Sequence, residues 1–258
     1  MGVSTVDNGR SETMPGTVAL FVACVADLAY PGPPRACVEV LEAMGVSVEL
    51  PAGQTCCGQP ALNSGYPRQA TTLARRWLAT FARYDAVVTT SGSCLSTVHH
   101  AYPRLLHGAE REQAVALAAR SWEFTQFVTD FGQGLTLRLD AEVTYHDSCH
   151  MLRTLGERSS PRELLSRIDG LTLVEMTDSG VCCGFGGTFA VKLPDVSVAM
   201  ADHKLAQAGR TGARYLVSAD PACLMHLQGR ADVTRAGIRT RHIAELVSDA
   251  LVRTEVRA

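Results

Sequence analysis

The sequence predicts an α/β protein of two duplicated halves, each carrying a mostly parallel sheet with helices on both faces. Three observations lead there. Cys24, Cys56, Cys57 and Cys94 recur as Cys149, Cys182, Cys183 and Cys223, at offsets of 125, 126, 126 and 129 residues. The local words repeat as well: TCCGQP at 55–60 is answered by VCCGFGG at 181–187. Short apolar runs also alternate with helical stretches in the same order in both halves. A register held over half a chain marks an internal duplication. Strand–helix alternation of this kind builds Rossmann-like parallel sheets.

The elements follow in order. The run 17–23 (TVALFVA) is short, apolar and rich in β-branched residues, which predicts a buried strand. A helix is expected over 33–44, opened by prolines and stopped by Gly45. A second strand covers 46–50, the Cys56-Cys57-Gly58 loop follows, and a helix runs from about 66 to 84. The third strand is 86–90 (AVVTT), and Cys94 opens the helix after it. The second half repeats this with strands at 142–146, 171–174 and 214–218 and helices at 161–168 and 191–208. Between the halves, 110–131 reads as one long helix, because its Ala-rich middle is strongly helix-forming. The stretch 241–251 is an amphipathic helix expected to pack on the second half. The resulting domains are 17–108 and 141–258, joined by 109–140 and preceded by a polar segment, 1–16, expected to lack regular structure.

Composition narrows the functional classes. A chain of 258 residues is long enough for two domains with their own cores. Its 46% apolar and 19% charged residues are ordinary for a globular protein, and a net charge of −2 gives no reason to expect nucleic acid or an anionic membrane as partner. No stretch approaches the length of a membrane span. The run 18–23 ending at Cys24 superficially resembles a lipoprotein signal, but it is shorter than the roughly 7–15 apolar residues of a signal core. Glu12 also lies where positive charge belongs. The expected location is the cytoplasm. Nine cysteines in a chain this large and apolar therefore point to metal or redox chemistry rather than to disulfide staples.

Adjacent cysteines constrain that chemistry. Consecutive side chains on an extended segment point apart. At a turn they converge, and Gly58 and Gly184 allow the positive φ such a turn needs. Two neighbouring thiolates suit a cluster of several irons better than a single zinc, whose usual ligand spacing is C-x₂₋₄-C. From the residues alone, zinc in one half and a redox-sensing, non-enzymatic role stay open. Cys37 has no repeat partner and lies on a helix, so it is read as a core residue.

The words CCGQPALNSGY (56–66), SGSC (91–94), CCGFGGTFAVK (182–192), SADPAC (218–223) and HIAEL (242–246) are specific. On them the chain resembles the cysteine-rich CCG-domain family from about Thr17 to the last helix. That family includes the cysteine-rich subunit of heterodisulfide reductase and the iron–sulfur subunits of glycolate and anaerobic glycerol-3-phosphate oxidation. The resemblance implies an iron–sulfur, electron-transferring subunit of an oxidoreductase complex that converts L-lactate, a small 2-hydroxy acid, to pyruvate. It implies one or two 4Fe–4S clusters held by Cys24, Cys56, Cys57 and Cys94 and by Cys149, Cys182, Cys183 and Cys223. It also implies partner subunits, among them a ferredoxin-type iron–sulfur protein. Equivalent work on glycolate, glycerol 3-phosphate or a disulfide is the alternative within the family. The family pattern ends each half in CxxC and holds a non-cubane cluster with five cysteines. Here Ser91 and Asp220 stand in place of the first cysteine of that pair, which leaves four thiolates per half. Both are read first as helix caps, with oxygen ligation as the alternative.

Weaker candidates surround these. His146, Asp147 and His150 flank Cys149, and His99 and His100 follow Cys94. Histidines beside a helix start are usually solvated, and they are read so here. Lys192 and Arg153 are read as surface charges. No G-x-G-x-x-G follows a strand, and no C-x₂-C-x₂-C run of ferredoxin type occurs. Oxidising a 2-hydroxy acid removes two electrons, commonly through nicotinamide or flavin. A chain of this kind is therefore expected to depend on partner subunits.

Overall fold

The computed structural model describes residues 13–252, so most of the segment 1–16 lies outside the described residues. The first half runs β1 (Thr17–Phe21), α1 (Cys24–Ala29), α2 (Gly32–Ala43), β2 (Ser47–Glu49), α3 (Gln59–Asn63), α4 (Pro67–Phe81), β3 (Val87–Thr89), α5 (Gly92–Ser96), a π-helical turn (Thr97–Ala101), α6 (Tyr102–Leu105), α7 (Gly108–Ala119), β4 (Ser121–Glu123) and α8 (Phe124–Phe131). The second runs β5 (Arg138–Tyr145), a π-helical turn (His150–Thr154), α9 (Ser159–Ser166), β6 (Asp169–Leu173), α10 (Thr188–Lys192), α11 (Pro194–Gly209), β7 (Tyr215–Ser218), α12 (Pro221–Thr234), β8 (Arg239–His242) and α13 (Ile243–Ala250).

Each half forms a four-stranded parallel sheet, ordered β2-β1-β3-β4 and β6-β5-β7-β8. The two orders are the same, so the duplication expected from the cysteines extends to topology. Alternation along the strands explains why the central strands read as unbroken apolar runs. Val18 and Leu20 of β1 face one core, while Ala19 and Phe21 face another. In β7, Val217 and Leu216 divide in the same way.

The core shared by the halves contains Val18, Leu20 and Val88 of the first sheet and Val143, Tyr145 and Val217 of the second. Helices α2, α8, α9 and α13 contribute to it. Two of these helices cross over. Helix α13 packs on α2 of the first half, where the Tyr30 hydroxyl donates to Glu245 (2.6 Å) and the Ser248 hydroxyl donates to Glu39. Helix α8 packs on α9 of the second half, with Gln126 donating to Glu157 (3.1 Å) and the Thr129 hydroxyl donating to the Ser160 carbonyl (3.3 Å). The halves are interlocked by exchange of their last helices.

Two sequence expectations are corrected by this. The stretch 110–131 is not one helix: α7 ends at Ala119, β4 joins the first sheet beside β3, and α8 begins at Phe124. The Glu123 carboxylate accepts from the Thr125 N–H (2.7 Å), and the Gln126 side chain accepts from the Glu123 N–H (3.3 Å), forming a capping box that restarts the helix. The first sheet thus takes its last strand from the segment expected to join the halves. The helix expected over 241–251 packs mainly on the first half, because its apolar face covers α2.

Candidate metal centres

Each cysteine leaves a strand end or opens a helix. Cys24 begins α1 directly after β1, Cys56 and Cys57 occupy the loop before α3, and Cys94 lies in the first turn of α5 after β3. Their thiols interact in a chain of hydrogen-bonding neighbours, Cys24 with Cys56, Cys56 with Cys57 and Cys57 with Cys94. Gly58 lies in the left-handed region at φ 88°, and its N–H points back at the Cys56 Sγ at 3.4 Å. That turn makes the two adjacent thiols converge. Hydrogen bonds from the Cys24 and Cys57 thiols hold Cys56 well below the ordinary thiol range. The bond to Cys56 and burial push Cys24 up. Bonds with Cys56 and Cys94, with burial, do the same to Cys57. One sulfur of the group is therefore poised as a thiolate, and thiolates are the form that binds metal. Phe21, Trp77 and Phe81 wall the site with ring centroids 4.9–5.8 Å apart, and the buried Tyr102 hydroxyl donates to the Cys57 carbonyl (2.9 Å).

The second half repeats the arrangement. Cys149 follows β5, Cys182 and Cys183 lie in the loop before α10, and Cys223 sits in the first turn of α12. The contact chain is Cys149, Cys182, Cys183, Cys223. Gly184 has φ 93° and its N–H meets the Cys182 Sγ at 3.4 Å. Cys182 is held low by bonds from Cys149 and Cys183. All eight repeated cysteines are thus gathered into two groups of four. Cys37 is fully buried in the shared core, away from both, and burial raises its thiol.

The surroundings differ. Behind the second group lies Lys204, fully buried, whose Nζ donates to the carbonyls of Asp178 (2.5 Å) and Ser179 (3.1 Å). His146 is also fully buried, and burial, aided by Lys204, pushes its imidazole down to about 4. A ring nitrogen of His146 and the sulfurs of Cys183 and Cys223 all lie within 4.8 Å of one another.

Ser91 and Asp220 both serve as helix caps. The Ser91 Oγ accepts from the Cys94 N–H (3.3 Å). The Asp220 carboxylate accepts from the Ala222 N–H (3.2 Å) and, across the halves, from the Ser93 N–H (2.9 Å). That last bond links the helix start that carries Cys223 to the one that carries Cys94. The second group also opens on a cavity of about 80 Å³ lined from the first half by Gln59, Pro60, Asn63 and Ser93. Gln59, Asn63 and His150 border in addition a second cavity of about 350 Å³, where His100 and Arg104 lie. Lys192 is exposed, and the Arg153 guanidinium donates to the Gly180 carbonyl (2.9 Å).

The donor set fits a soft-metal or iron–sulfur centre in each half. Four sulfurs converge in each half, with backbone N–H groups directed at Cys56 and Cys182. Paired four-cysteine loops on twin parallel sheets define a class, and the comparisons agree with it. The chain belongs to the CCG cysteine-rich domain family, whose model matches residues 18–99 and 143–228. It is 43% identical to lactate utilization protein A of Halalkalibacterium halodurans, over 90% of this chain and 96% of that one. It is also 43% identical to lactate utilization protein A of an Exiguobacterium species, over 91% and 98%. A hypothetical protein from Helicobacter pylori has the same fold at a TM-score of 0.67 and 12% identity. The match covers 94% of this chain and about half, 50%, of that one.

The expectation of a solvated His146 is corrected, since the ring is fully buried beside the sulfurs, and Lys204 carried no mark in the sequence. A signal for the histidine existed: the offset of 125 that relates Cys24 to Cys149 sets Phe21 against His146, so the repeat breaks there.

Proposed function

We propose that this chain is the iron–sulfur subunit of a cytoplasmic complex that oxidises L-lactate to pyruvate, with Cys24, Cys56, Cys57 and Cys94 holding one cluster and Cys149, Cys182, Cys183 and Cys223 the other. The observation that carries the reading is the pair of equivalent four-sulfur groups in a chain similar over nine-tenths of its length to proteins named for lactate utilization. Iron–sulfur clusters, when bound, supply one-electron transfer.

The chain's own residues contribute three things. The Gly58 and Gly184 N–H groups stabilise negative charge on Cys56 and Cys182. The Asp220–Ser93 bond ties the helix start that carries Cys223 to the one that carries Cys94, a hydrogen-bonded link between the two groups. Arg104, with His100 and His150, borders a cavity within the ~300–1,000 Å³ range of small-molecule sites, where the guanidinium would hold a carboxylate.

Lactate oxidation removes two electrons, and the sequence carries no nicotinamide-binding loop, so partner subunits, including a ferredoxin-type one, complete the circuit. The test is reconstitution. The isolated chain should not turn over L-lactate, and adding the partner subunits should restore oxidation. Steady oxidation by the pure single chain would refute the subunit assignment. Activity confined to glycolate or glycerol 3-phosphate would move the chain to the alternative substrate.

A further inference from the structure

Resting on the iron–sulfur reading, we infer that the two centres are chemically different, and that the second is held by four thiolates and the Nε2 of His146. Three observations converge. First, a ring nitrogen of His146 stands within 4.8 Å of both the Cys183 and Cys223 sulfurs, the spacing of donors around a metal with bonds of about 2.0–2.3 Å. Second, the tautomer is set. The Nδ1 atom lies 3.3 Å from the Ser179 carbonyl, which only accepts, so Nδ1 carries the proton and Nε2 the lone pair. Third, Nε2 is buried with no hydrogen-bond partner. A buried polar atom without a partner requires an explanation, and an ion is one of the few available.

The first half supplies the control. The residue in the same register is Phe21, and it packs against Trp77 and Phe81 at 5.8 and 5.4 Å between ring centroids. The Phe21 ring carries no nitrogen to ligate a metal. The register is secure on both sides, since Phe21 pairs with Thr89 in the first sheet, while the His146 N–H continues the second sheet by donating to Val217 (2.8 Å).

The Ser179 carbonyl that orients His146 also accepts from Lys204 Nζ (3.1 Å) and from the Asp147 N–H (3.1 Å). His146 is therefore fixed by a network rather than by one contact. A neutral imidazole adds a nitrogen donor without adding negative charge, so the two centres would differ in ligand set while carrying the same number of thiolates. The second centre is also the one that opens on a cavity lined from both halves.

The experiment is pulsed EPR on the reduced, anaerobically purified full chain, prepared with natural and with ¹⁵N-labelled histidine. A histidine nitrogen coupling that shifts with the isotope, disappears in His146→Ala and persists in His150→Ala is the expected result. An iron–sulfur signal with no isotope-dependent coupling in the unmutated protein overturns the inference, whatever the folding of the variants. A coupling that survives His146→Ala overturns it too. Protein with no paramagnetic iron centre defeats the functional reading, and this inference with it.

Discussion

The Cys-Cys-Gly turns can be tested without touching a sulfur, by adding one methyl group to each glycine. Gly58 and Gly184 both sit at positive φ, 88° and 93°, so alanine at either costs about 1–2 kcal/mol in backbone strain. The space around them differs. A Cβ on Gly58 would meet Ala70 and Leu73 atoms at 3.4 Å, ordinary contact. A Cβ on Gly184 would come within 2.5 Å of the Ser197 carbonyl oxygen and 3.0 Å of the Met200 Cβ. The first of these is backbone inside α11 and cannot turn aside. Overpacking of that kind adds roughly 1–3 kcal/mol. Gly184→Ala should therefore cost about 2–5 kcal/mol and Gly58→Ala about 1–2. Both retain the N–H that faces the sulfur. The assay is the urea midpoint by far-UV circular dichroism, comparing variants directly because a metal-bound protein need not unfold in two states. Iron content is measured on the same samples. Equal midpoints for the two variants, or a milder effect for Gly184→Ala, would refute the argument from α11.

Three further outcomes follow. Glu123 is fully buried and burial raises its carboxyl from 4.5 to about 8. Between those values the folded chain binds a proton that the unfolded chain has lost, so stability from this group falls as pH rises from about 5 to about 8, at up to roughly 1.4 kcal/mol per pH unit. Glu123→Gln should flatten that decline in a thermal-melt series, and an unchanged slope would show that Glu123 is ionised in the fold. Cys37→Ala should keep the full metal content and cost about 1 kcal/mol in chemical denaturation, since it removes one buried sulfur from the shared core; lost iron would mean that Cys37 is a ligand. Tyr30→Phe removes the hydroxyl that ties α13 to the first half, while Glu245 keeps its bond from the His242 N–H (2.9 Å). The expected loss is about 0.5–1.5 kcal/mol, and no change in the urea midpoint would argue that this hydroxyl contributes nothing to the crossover.

Much of the fold was legible because the central strands are buried on both faces and so spell apolar runs such as VALF and YLVS. Strands β4 and β8 were not. Ser-Trp-Glu and Arg-Thr-Arg-His are short, polar edge segments, and a strand there is decided by the neighbour it pairs with. The restart of the helix at Phe124 was hidden for a related reason. Its cap is Glu123, and carboxylates of that length are rare caps beside Ser, Thr, Asp and Asn. His242 plays the same part at α13, where its Nδ1 accepts from the Ala244 N–H (3.1 Å). The crossover of α8 and α13 leaves no local mark, because an apolar helix face reads the same whichever half covers it. In the site, cysteine spacing placed all eight sulfurs, since repeated loops at strand ends must converge once the sheets form. His146 was obscured because a histidine near a helix start is usually solvated. Only the mismatch with Phe21 in the aligned repeat set it apart.

Each half is proposed to hold its own iron–sulfur centre on four cysteines. The most direct measurement is iron and acid-labile sulfide in the anaerobically purified chain, beside the double variants Cys56→Ser/Cys57→Ser and Cys182→Ser/Cys183→Ser. Two four-iron clusters predict on the order of eight irons and eight sulfides per chain, with about half lost in either variant. Zinc in place of iron, or one double variant that keeps the full iron content, would contradict it.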